Sequence, residues 1–429
     1  MKVLITGSGG REHALAWRVI QSPEVDRVFV APGNGGTATE PGVSNVDIDV
    51  MDIPGQIAFA RKEQIDLTII GPEAPLVAGV VDQFTAANLR CFGPGAGAAQ
   101  LEGSKSFTKD FLNRYNIPTA AYGSFENMDE AIEFSHGMDL PMVIKADGLA
   151  AGKGVVIAQS HSDAEKTIRE MMADQRFGEA GQRVVIEAFL EGEEASFIVI
   201  ADGENFVPFA SSQDHKAIFD GDKGPNTGGM GAYSPAPVVT PTVHQRIIDR
   251  VIEPTIAGMR DLGFAYTGFL YAGLMIDEAG NPNVIEFNCR FGDPETQPMM
   301  MRMESDLVAL CNAAIDGNLA GKQIEFSPQV ALAVVLAAGG YPNDYRKGDE
   351  ISGLDSSMDG KVFHAGTVLE DSKVLTNGGR VLAITTLGQT VGQAQQKAYE
   401  INGQISYADK YCRSDIGYRA VARESSKPS

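Results

Sequence analysis

Cysteine is scarce and scattered: Cys91, Cys289, Cys311 and Cys412 are the only four in 429 residues, and no two form a CxxC pair. That spacing indicates neither a disulfide framework nor a zinc site. Long apolar runs are missing too. No stretch approaches the roughly 20 apolar residues that cross a bilayer. The chain opens directly on Val3-Leu4-Ile5, without the basic region and long apolar core of an export signal. Positive charge is in short supply, with 35 Lys and Arg against 56 Asp and Glu and a net charge of −21. A nucleic-acid partner, whose phosphates need a basic surface, is therefore not expected. Small phosphorylated ligands remain open, because local clusters of Lys and Arg decide their binding. No internal repeat is present. These absences leave a cytoplasmic enzyme with no membrane partner, long enough for two to four domains.

The first hundred residues alternate apolar runs with helical periodicity. Strands are expected at Val3–Thr6, Val28–Ala31, Leu67–Ile70 and Leu89–Phe92, with helices at Glu12–Gln21, Pro54–Gln64 and Val77–Ala87. Such alternation predicts a doubly wound parallel sheet with ligands at the strand C-termini. Helices Ala96–Glu102 and Lys105–Asn116 lead out of it. A small α+β lid follows over about 118–190, from strands Met142–Ala146, Val155–Ala158 and Val184–Glu187 and a helix near Ala164–Ala173. Next come strands Ala195–Ala201 and Phe206–Ala210, a Gly/Pro-rich loop at 221–237, a helix Thr242–Leu262, and paired strands Phe269–Ile276 and Val284–Phe287. Strands Ala331–Ala338, Lys361–His364 and Arg380–Leu387, with a helix near Val391–Ile405, read as a separate β-rich domain. The expected divisions are 1–103, 104–325 and 326–429, with disorder only at Ser425–Ser429.

The stretch from Val284 to Gln297 carries the strongest chemistry. Glu286 and Asn288 are two apart on a strand, so their side chains leave one face. Two neighbouring oxygen ligands suit a hard cation such as Mg²⁺, which takes its other ligands from water and phosphate. Arg290 offers a bidentate grip on a carboxylate or phosphate. The bland alternative is a polar strand end running into a solvated loop.

Two glycine motifs need sorting. Gly7-Ser8-Gly9-Gly10-Arg11-Glu12-His13 follows the first strand and opens a helix, where free amides favour an anion. Glu12 stands where a third glycine would complete GxGxxG, and the second strand ends Val30-Ala31-Pro32 with no acid for a ribose. A dinucleotide is thus disfavoured against a sugar phosphate, and a purely structural turn stays open. Gly148-Leu149-Ala150-Ala151-Gly152-Lys153-Gly154 has three residues between its first glycines where a Walker A loop has four, and Gly154 replaces the magnesium-binding hydroxyl. Flanked by strand-like runs, it reads as a hairpin folding over nucleotide phosphates, with Lys145 reaching them and Lys105 as a second candidate. Glu187-Ala188-Phe189-Leu190, followed by Glu193 and Glu194, suits a hinge that pairs with adenine while an acid holds the ribose. Each of these alone has an ordinary reading as surface charge or acidic turn.

Together they resemble the ATP-grasp superfamily and, within it, the phosphoribosylamine–glycine ligase family. The resemblance rests on Arg290-Phe291-Gly292-Asp293-Pro294-Glu295-Thr296-Gln297, Gly9-Gly10-Arg11-Glu12-His13, Gly71-Pro72-Glu73, Lys145 through Gly154, Asp214-His215-Lys216, and Gly224 through Gly231. It spans nearly the whole chain. It implies an N-terminal Rossmann-like domain, a central ATP-grasp fold with its lid, and a C-terminal domain. The implied reaction joins glycine to 5-phosphoribosylamine through glycyl phosphate, with ATP as substrate and Mg²⁺ or Mn²⁺ as metal. Glu286 and Asn288 would hold the metal. Lys105, Lys145, Gly152, Lys153, Gly154 and the 187–194 hinge would bind ATP. Arg290 would grip the glycine carboxylate or the transferring phosphoryl group. Gly9, Gly10, Arg11, Glu12, His13, Asn34 and Glu73 would receive the sugar phosphate or ribose. Arg290, Lys145, Asp214 and Lys216 would be the catalytic residues, and His215, Asn226, Thr227, Gly228, Gly229 and Asp293 would complete the substrate site. His13 and His215 are expected to orient by hydrogen bonding, with no general base required. Many members of the superfamily carry a further metal carboxylate on the neighbouring strand. Here Leu270–Ile276 has none, and Asp293 or Glu295 stands as a substitute. A monomer is expected. The nearer rival is an ATP-grasp ligase for another carboxylate of purine metabolism; the farther ones are a non-catalytic nucleotide-binding module and a dinucleotide oxidoreductase.

Overall fold

A computed structural model describes residues 1–149, 154–173, 182–354 and 358–426. Its first sheet is parallel, in the order Val43–Asn45, Arg27–Pro32, Lys2–Gly7, Leu67–Ile70, Cys91–Phe92. Val3, Leu4, Ile5, Val28, Val30, Leu67 and Ile69 are fully buried, the unbroken apolar pattern of strands covered on both faces. Strand order reverses between Lys2–Gly7 and Leu67–Ile70, which pair from Val3 with Leu67 to Thr6 with Ile70. The crevice beyond the C-terminal ends at such a reversal is where open α/β sheets bind ligands. The turns leaving it are residues 8–10 and 71–73. The helix expected over Val77–Ala87 is instead two, Glu73–Val77 and Val80–Ala86, parted where Gly79 adopts φ +80°. That left-handed conformation suits glycine alone at little cost. The strand expected from Leu89 shortens to Cys91–Phe92.

The lid is an antiparallel sheet in the order Tyr122–Phe125, Val184–Ala188, Met142–Ala146, Val155–Ala158. Helices Met128–His136 and His161–Ala173 bury one of its faces around Ile144, Ile168 and Ile186. The other face presents Val143, Lys145, Val155 and Ile157 to a cavity. A third sheet, Phe206–Pro208, Glu193–Asp202, Thr267–Ile276 and Pro282–Asn288, forms the opposite wall. Its last pair slips: Gly273 faces Glu286 while Leu274 faces Val284, so Ile285 is bulged out. Bulges re-aim side chains beside functional sites. Here Ile285 and Glu286 both reach the cavity, and the Ile285 carbonyl accepts from Lys145 Nζ at 3.0 Å, tying lid to floor.

The helix expected over Thr242–Leu262 runs as Pro241–Ile247, a π turn Ile248–Ile252, and Glu253–Asp261. Pro254 has no N–H for the carbonyl four residues back and its ring crowds that group, so the turn widens ahead of it. A second difference concerns 221–237, which is not loop throughout. Lys223–Asn226 pairs with Ala217–Phe219, and Gly231–Ser234 is a buried strand against Val330–Ala337. The C-terminal sheet, Gln213–Asp214, Gly231–Ser234, Val330–Ala337, Arg380–Gly388, Lys361–His364, therefore draws two strands from the middle of the chain. Ser425 and Ser426, expected to be loose, end the helix Tyr418–Ser426, whose Arg423 is ion-paired with Glu193; residues 427–429 lie outside the described ones. No described helix is long and apolar enough to cross a membrane.

Candidate active site

Lid, floor and N-terminal crevice enclose a cavity of about 440 Å³. Arg11, Glu73, Lys145, Glu187, Ala188, Phe189, Leu190, Glu194, Asp214, Lys216, Asn226, Thr227, Gly228, Glu286, Asn288, Arg290 and Asp293 all line it. Lys105 and Gly154 line an adjoining chamber of about 120 Å³. Gly9, Gly10, Glu12, His13, Asn34, Glu193, His215 and Gly229 lie outside the lining of the main cavity. Gly152 and Lys153 fall outside the described residues.

Cations gather around one carboxylate. Lys216 Nζ lies 3.4 Å from Glu286 Oε1 and 3.3 Å from Glu194 Oε2. Burial pushes the Glu286 carboxyl up, but Lys216, Lys145, Lys105 and Arg290 outweigh it and hold it at about 2. Asp214 is different: burial raises it well above the usual carboxylate range, with Lys216 opposing and Glu295 adding to the rise. Glu187 bridges two lysines, with Lys145 Nζ on Oε1 and Lys109 Nζ on Oε2, each at 2.8 Å. Burial lowers Lys109 to about 8 against the pull of Glu187. Lys105 Nζ donates to the Gly148 carbonyl at 2.7 Å, while Asp147 accepts from the Lys105 amide at the head of the helix.

Glu286 and Asn288 open from one strand into the same cavity, and the carboxylate is kept ionised by its surroundings. Such a donor set fits a hard octahedral cation that completes its shell with water and phosphate oxygens. Among the described residues no group of three His, Cys, Asp or Glu converges on a point. Of the two substitutes for a further carboxylate, Asp293 is committed to Arg380 at 3.2 Å and to Gln297 at 2.9 Å. Glu295 lines the cavity beside Tyr271 and accepts from Ser196 Oγ at 2.9 Å.

Arg290 is held between two carboxylates. Its Nε is 3.1 Å from Glu73 and its Nη2 is 2.8 Å from Glu102. Burial would push Glu73 up, yet Arg290 and Arg11 bring it down to about 2. Glu102 goes the other way, because burial outweighs Arg290 and raises it to about 7.

The N-terminal glycines make space, but a side chain of this protein fills it. A Cβ at Gly7, Gly9 or Gly71 would lie 2.4, 2.8 or 2.1 Å from the Glu12 side chain. The Glu12 carboxylate accepts the Gly9 amide at 2.6 Å and is ion-paired with Arg11, so Arg11 is the member of that motif that faces the cavity. Asn34 spends its amide on the Ser8 and His364 carbonyls and its oxygen on the Gly36 and Thr37 amides. His13 bonds Glu40 and accepts from the His364 amide; it joins the first and last domains. His215 Nε2 accepts the Gly417 amide at 3.1 Å.

That bond requires neutral imidazole at Nε2, and burial lowers His215 to about 4. A base depressed on folding contributes stability that is present above its unfolded value near 6.5 and lost as pH falls toward 4. Urea unfolding at pH 7.5 and pH 5 should therefore show a smaller acid loss in His215→Gln, by roughly 2 kcal/mol. An identical acid loss in the two proteins would refute the account.

Sequence reasoning missed Lys109, Glu102, Tyr341 and Arg380. Arg380 Nη1 donates to the Gly228 and Asp293 carbonyls, each at 2.6 Å. Lys109 alone had a local signal: four residues after Lys105 on a helix, it shares that residue's face.

Three family profiles match successive parts of the chain. They are the phosphoribosylglycinamide synthetase N domain over 1–102, its ATP-grasp (A) domain over 103–296 and its C domain over 331–419. A phosphoribosylamine–glycine ligase of Escherichia coli O6:H1 is 62% identical over 99% of this chain and 100% of its own length. The crystal structure of the phosphoribosylamine–glycine ligase of Thermotoga maritima is similar at TM-score 0.83 and 35% identity, covering 97% of this chain and 100% of that one. The biotin carboxylase domain of Hydrogenobacter thermophilus 2-oxoglutarate carboxylase shares the fold at TM-score 0.74, with 15% identity over 96% of this chain and 91% of that one.

Proposed function

The chain belongs to the phosphoribosylglycinamide synthetase family, and from that premise we propose that its cavity joins glycine to 5-phosphoribosylamine as ATP becomes ADP and phosphate. It is an ATP-grasp ligase of purine biosynthesis, using ATP with a divalent metal. One observation carries the reading of the site: Lys145, the Glu286/Asn288 pair and the Arg290 guanidinium open into the main cavity, and Lys105 joins all four in lining the adjoining chamber. We take the enzyme as a cytoplasmic monomer, and the net charge of −21 supports the absence of a nucleic-acid partner.

A carboxylate does not react with an amine near neutral pH, so glycine first needs a leaving group. In the proposed course a glycine oxygen displaces ADP from the γ-phosphoryl group, giving glycyl phosphate. The phosphoribosylamine nitrogen then attacks the carbonyl carbon, phosphate leaves, and the nitrogen gives up one proton. Such transfers depend mostly on positioning and charge neutralisation. Lys105 and Lys145 neutralise the ATP phosphates. Glu187 through Leu190, with Glu194, hold adenosine, and Glu193 supports that segment through Arg423. Arg290 grips the glycine carboxylate or the transferring phosphoryl group. Arg11 and Glu73, at the reversal of the first sheet, receive the ribose phosphate. Asp214, Lys216 and residues 226–228 flank the approach of the amine. Mg²⁺ or Mn²⁺, held by Glu286 and Asn288, supplies further phosphate neutralisation when bound. Neither His13 nor His215 lines the cavity, which supports a course without a histidine base.

The test is ADP release with Mg-ATP, glycine and phosphoribosylamine generated in place from ribose 5-phosphate and ammonia, each omitted in turn. Release that needs both glycine and the amine is expected; release with another carboxylate but never glycine would turn the reading to a different ATP-grasp ligase. A finer check uses Gly273, where a Cβ would lie 3.1 Å from Glu286 Cγ and 3.3 Å from Tyr271 Cε1. Gly273→Ala displaces the Glu286 side chain, so KM for Mg-ATP should rise several-fold while Tm moves by less than about 3 °C. An unchanged KM would refute the link between that strand position and the metal pair.

A further inference from the structure

We propose that Glu102 is a positioning residue of the ligase site, holding Arg290 from behind so that its remaining donors face the reacting groups. The inference rests on the reading of the cavity as the ligase site. Glu102 stands on the helix Ala96–Gly103, outside every motif that marks the site in the sequence. It does not line the main cavity; it lines the small chamber behind it. Only 7% of its side chain is exposed.

Its two oxygens are used at consecutive residues. Oε2 accepts the Cys289 amide at 2.7 Å, and Oε1 lies 2.8 Å from Arg290 Nη2. One carboxylate thus fixes both where Arg290 leaves the chain and where its guanidinium points. A guanidinium has five N–H donors. Glu73 takes the one on Nε, the Phe291 carbonyl takes one on Nη1 at 3.1 Å, and Glu102 is ion-paired with Nη2. Both terminal nitrogens keep N–H donors that can serve the oxygens of a carboxylate or phosphoryl group. Without Glu102 the guanidinium has a single side-chain anchor and is free to swing about it. A misplacement on the order of 1 Å can cost about a hundredfold in rate.

Glutamine offers one acceptor where glutamate offers two, so in Glu102→Gln either the Cys289 amide or Arg290 loses its partner. Steady-state kinetics on the full chain should show kcat/KM for glycine at least tenfold lower, with KM for ATP within twofold of wild type. Glu102→Asp, which keeps both acceptors one methylene shorter, should recover part of the loss. Because the effect runs through Arg290, adding Glu102→Gln to Arg290→Lys should change kcat/KM for glycine by less than twofold. Wild-type kinetics in Glu102→Gln would overturn the proposal, as would a full further loss in the Arg290→Lys background. If Glu102→Gln does not fold, Glu102→Asp decides: a value equal to wild type overturns the proposal, and a lower value with ATP binding intact upholds it. Failure of the ligase reading is distinct, since wild-type protein would then release no ADP with glycine.

Discussion

Glu286→Ala is expected to lower ADP release with glycine and phosphoribosylamine by roughly 10²–10³-fold or more, leaving the far-ultraviolet circular dichroism unchanged. The carboxylate sits among Lys216, Lys145, Lys105 and Arg290, and those cations keep it ionised at any working pH. Removing it takes away the charged half of the pair proposed to hold the metal and leaves the cations facing one another. Two measurements separate these consequences. Metal-free ATP, followed by titration calorimetry, should bind the variant at least as well as wild type, because lysines with one carboxylate fewer beside them attract phosphate more strongly. The enhancement that Mg²⁺ gives to that binding should disappear. A variant that keeps Mg²⁺-dependent ADP release would refute the assignment of Glu286. The wild-type pH profile should carry no acid limb from this group above pH 4, since a carboxyl held near 2 has finished titrating well below that. Its contribution to stability has the matching sign: present above the unfolded value near 4.5 and lost progressively as pH falls from there through 2.

The Glu286/Asn288 pair was legible because period two along a strand is a local rule, and the bulge at Ile285 falls before the pair and leaves its spacing intact. The first sheet was legible for a similar reason, its apolar runs being buried on both faces. What failed to read locally depends on partners far along the chain. Gly7, Gly9 and Gly71 announce space in the sequence, but that Glu12 fills it follows only when two strands lie side by side. Gly231–Ser234 has little strand propensity of its own, and its pairing with Val330–Ala337 nearly a hundred residues later makes it a strand. Tyr341 and Arg380 reach the cavity from the last domain, where no nearby motif marks them. Glu102 is invisible for another reason. Its importance lies in where Cys289 and Arg290 end up, and a glutamate near a helix end has every appearance of solvated charge.

Arg290→Lys should be nearly as damaging as loss of Glu286, although it keeps the charge. Ammonium is a compact cation with three donors on a flexible stem; guanidinium is a planar fork whose donors have fixed directions. In this site Glu73 and Phe291 take two of those directions, and Glu102 is ion-paired with a terminal nitrogen. A lysine that satisfies the two carboxylates has nothing left at a defined angle for a substrate oxygen. Pre-organised donors of this kind are worth about 10²–10³ in rate when one is removed, so kcat/KM for glycine is expected to fall by that factor. KM for ATP should change little, since Lys105 and Lys145 remain. Stability should fall as well, because burial holds Glu102 and Glu73 close to a cation that no longer spans them, and breaking such buried pairs costs about 3–5 kcal/mol when a charge is left alone. Lysine will recover part of that by approaching one carboxylate. Protonation of the other follows from its burial, and Glu102, already raised to about 7, is the one to take it. The rate loss of the variant should therefore persist at every pH, while its stability deficit is largest above pH 7 and shrinks as pH falls to about 7, where wild-type Glu102 is itself taking up a proton. A deficit that grows on acidification, or a glycine kcat/KM within threefold of wild type, would show that Arg290 acts here as a charge and not as a fork.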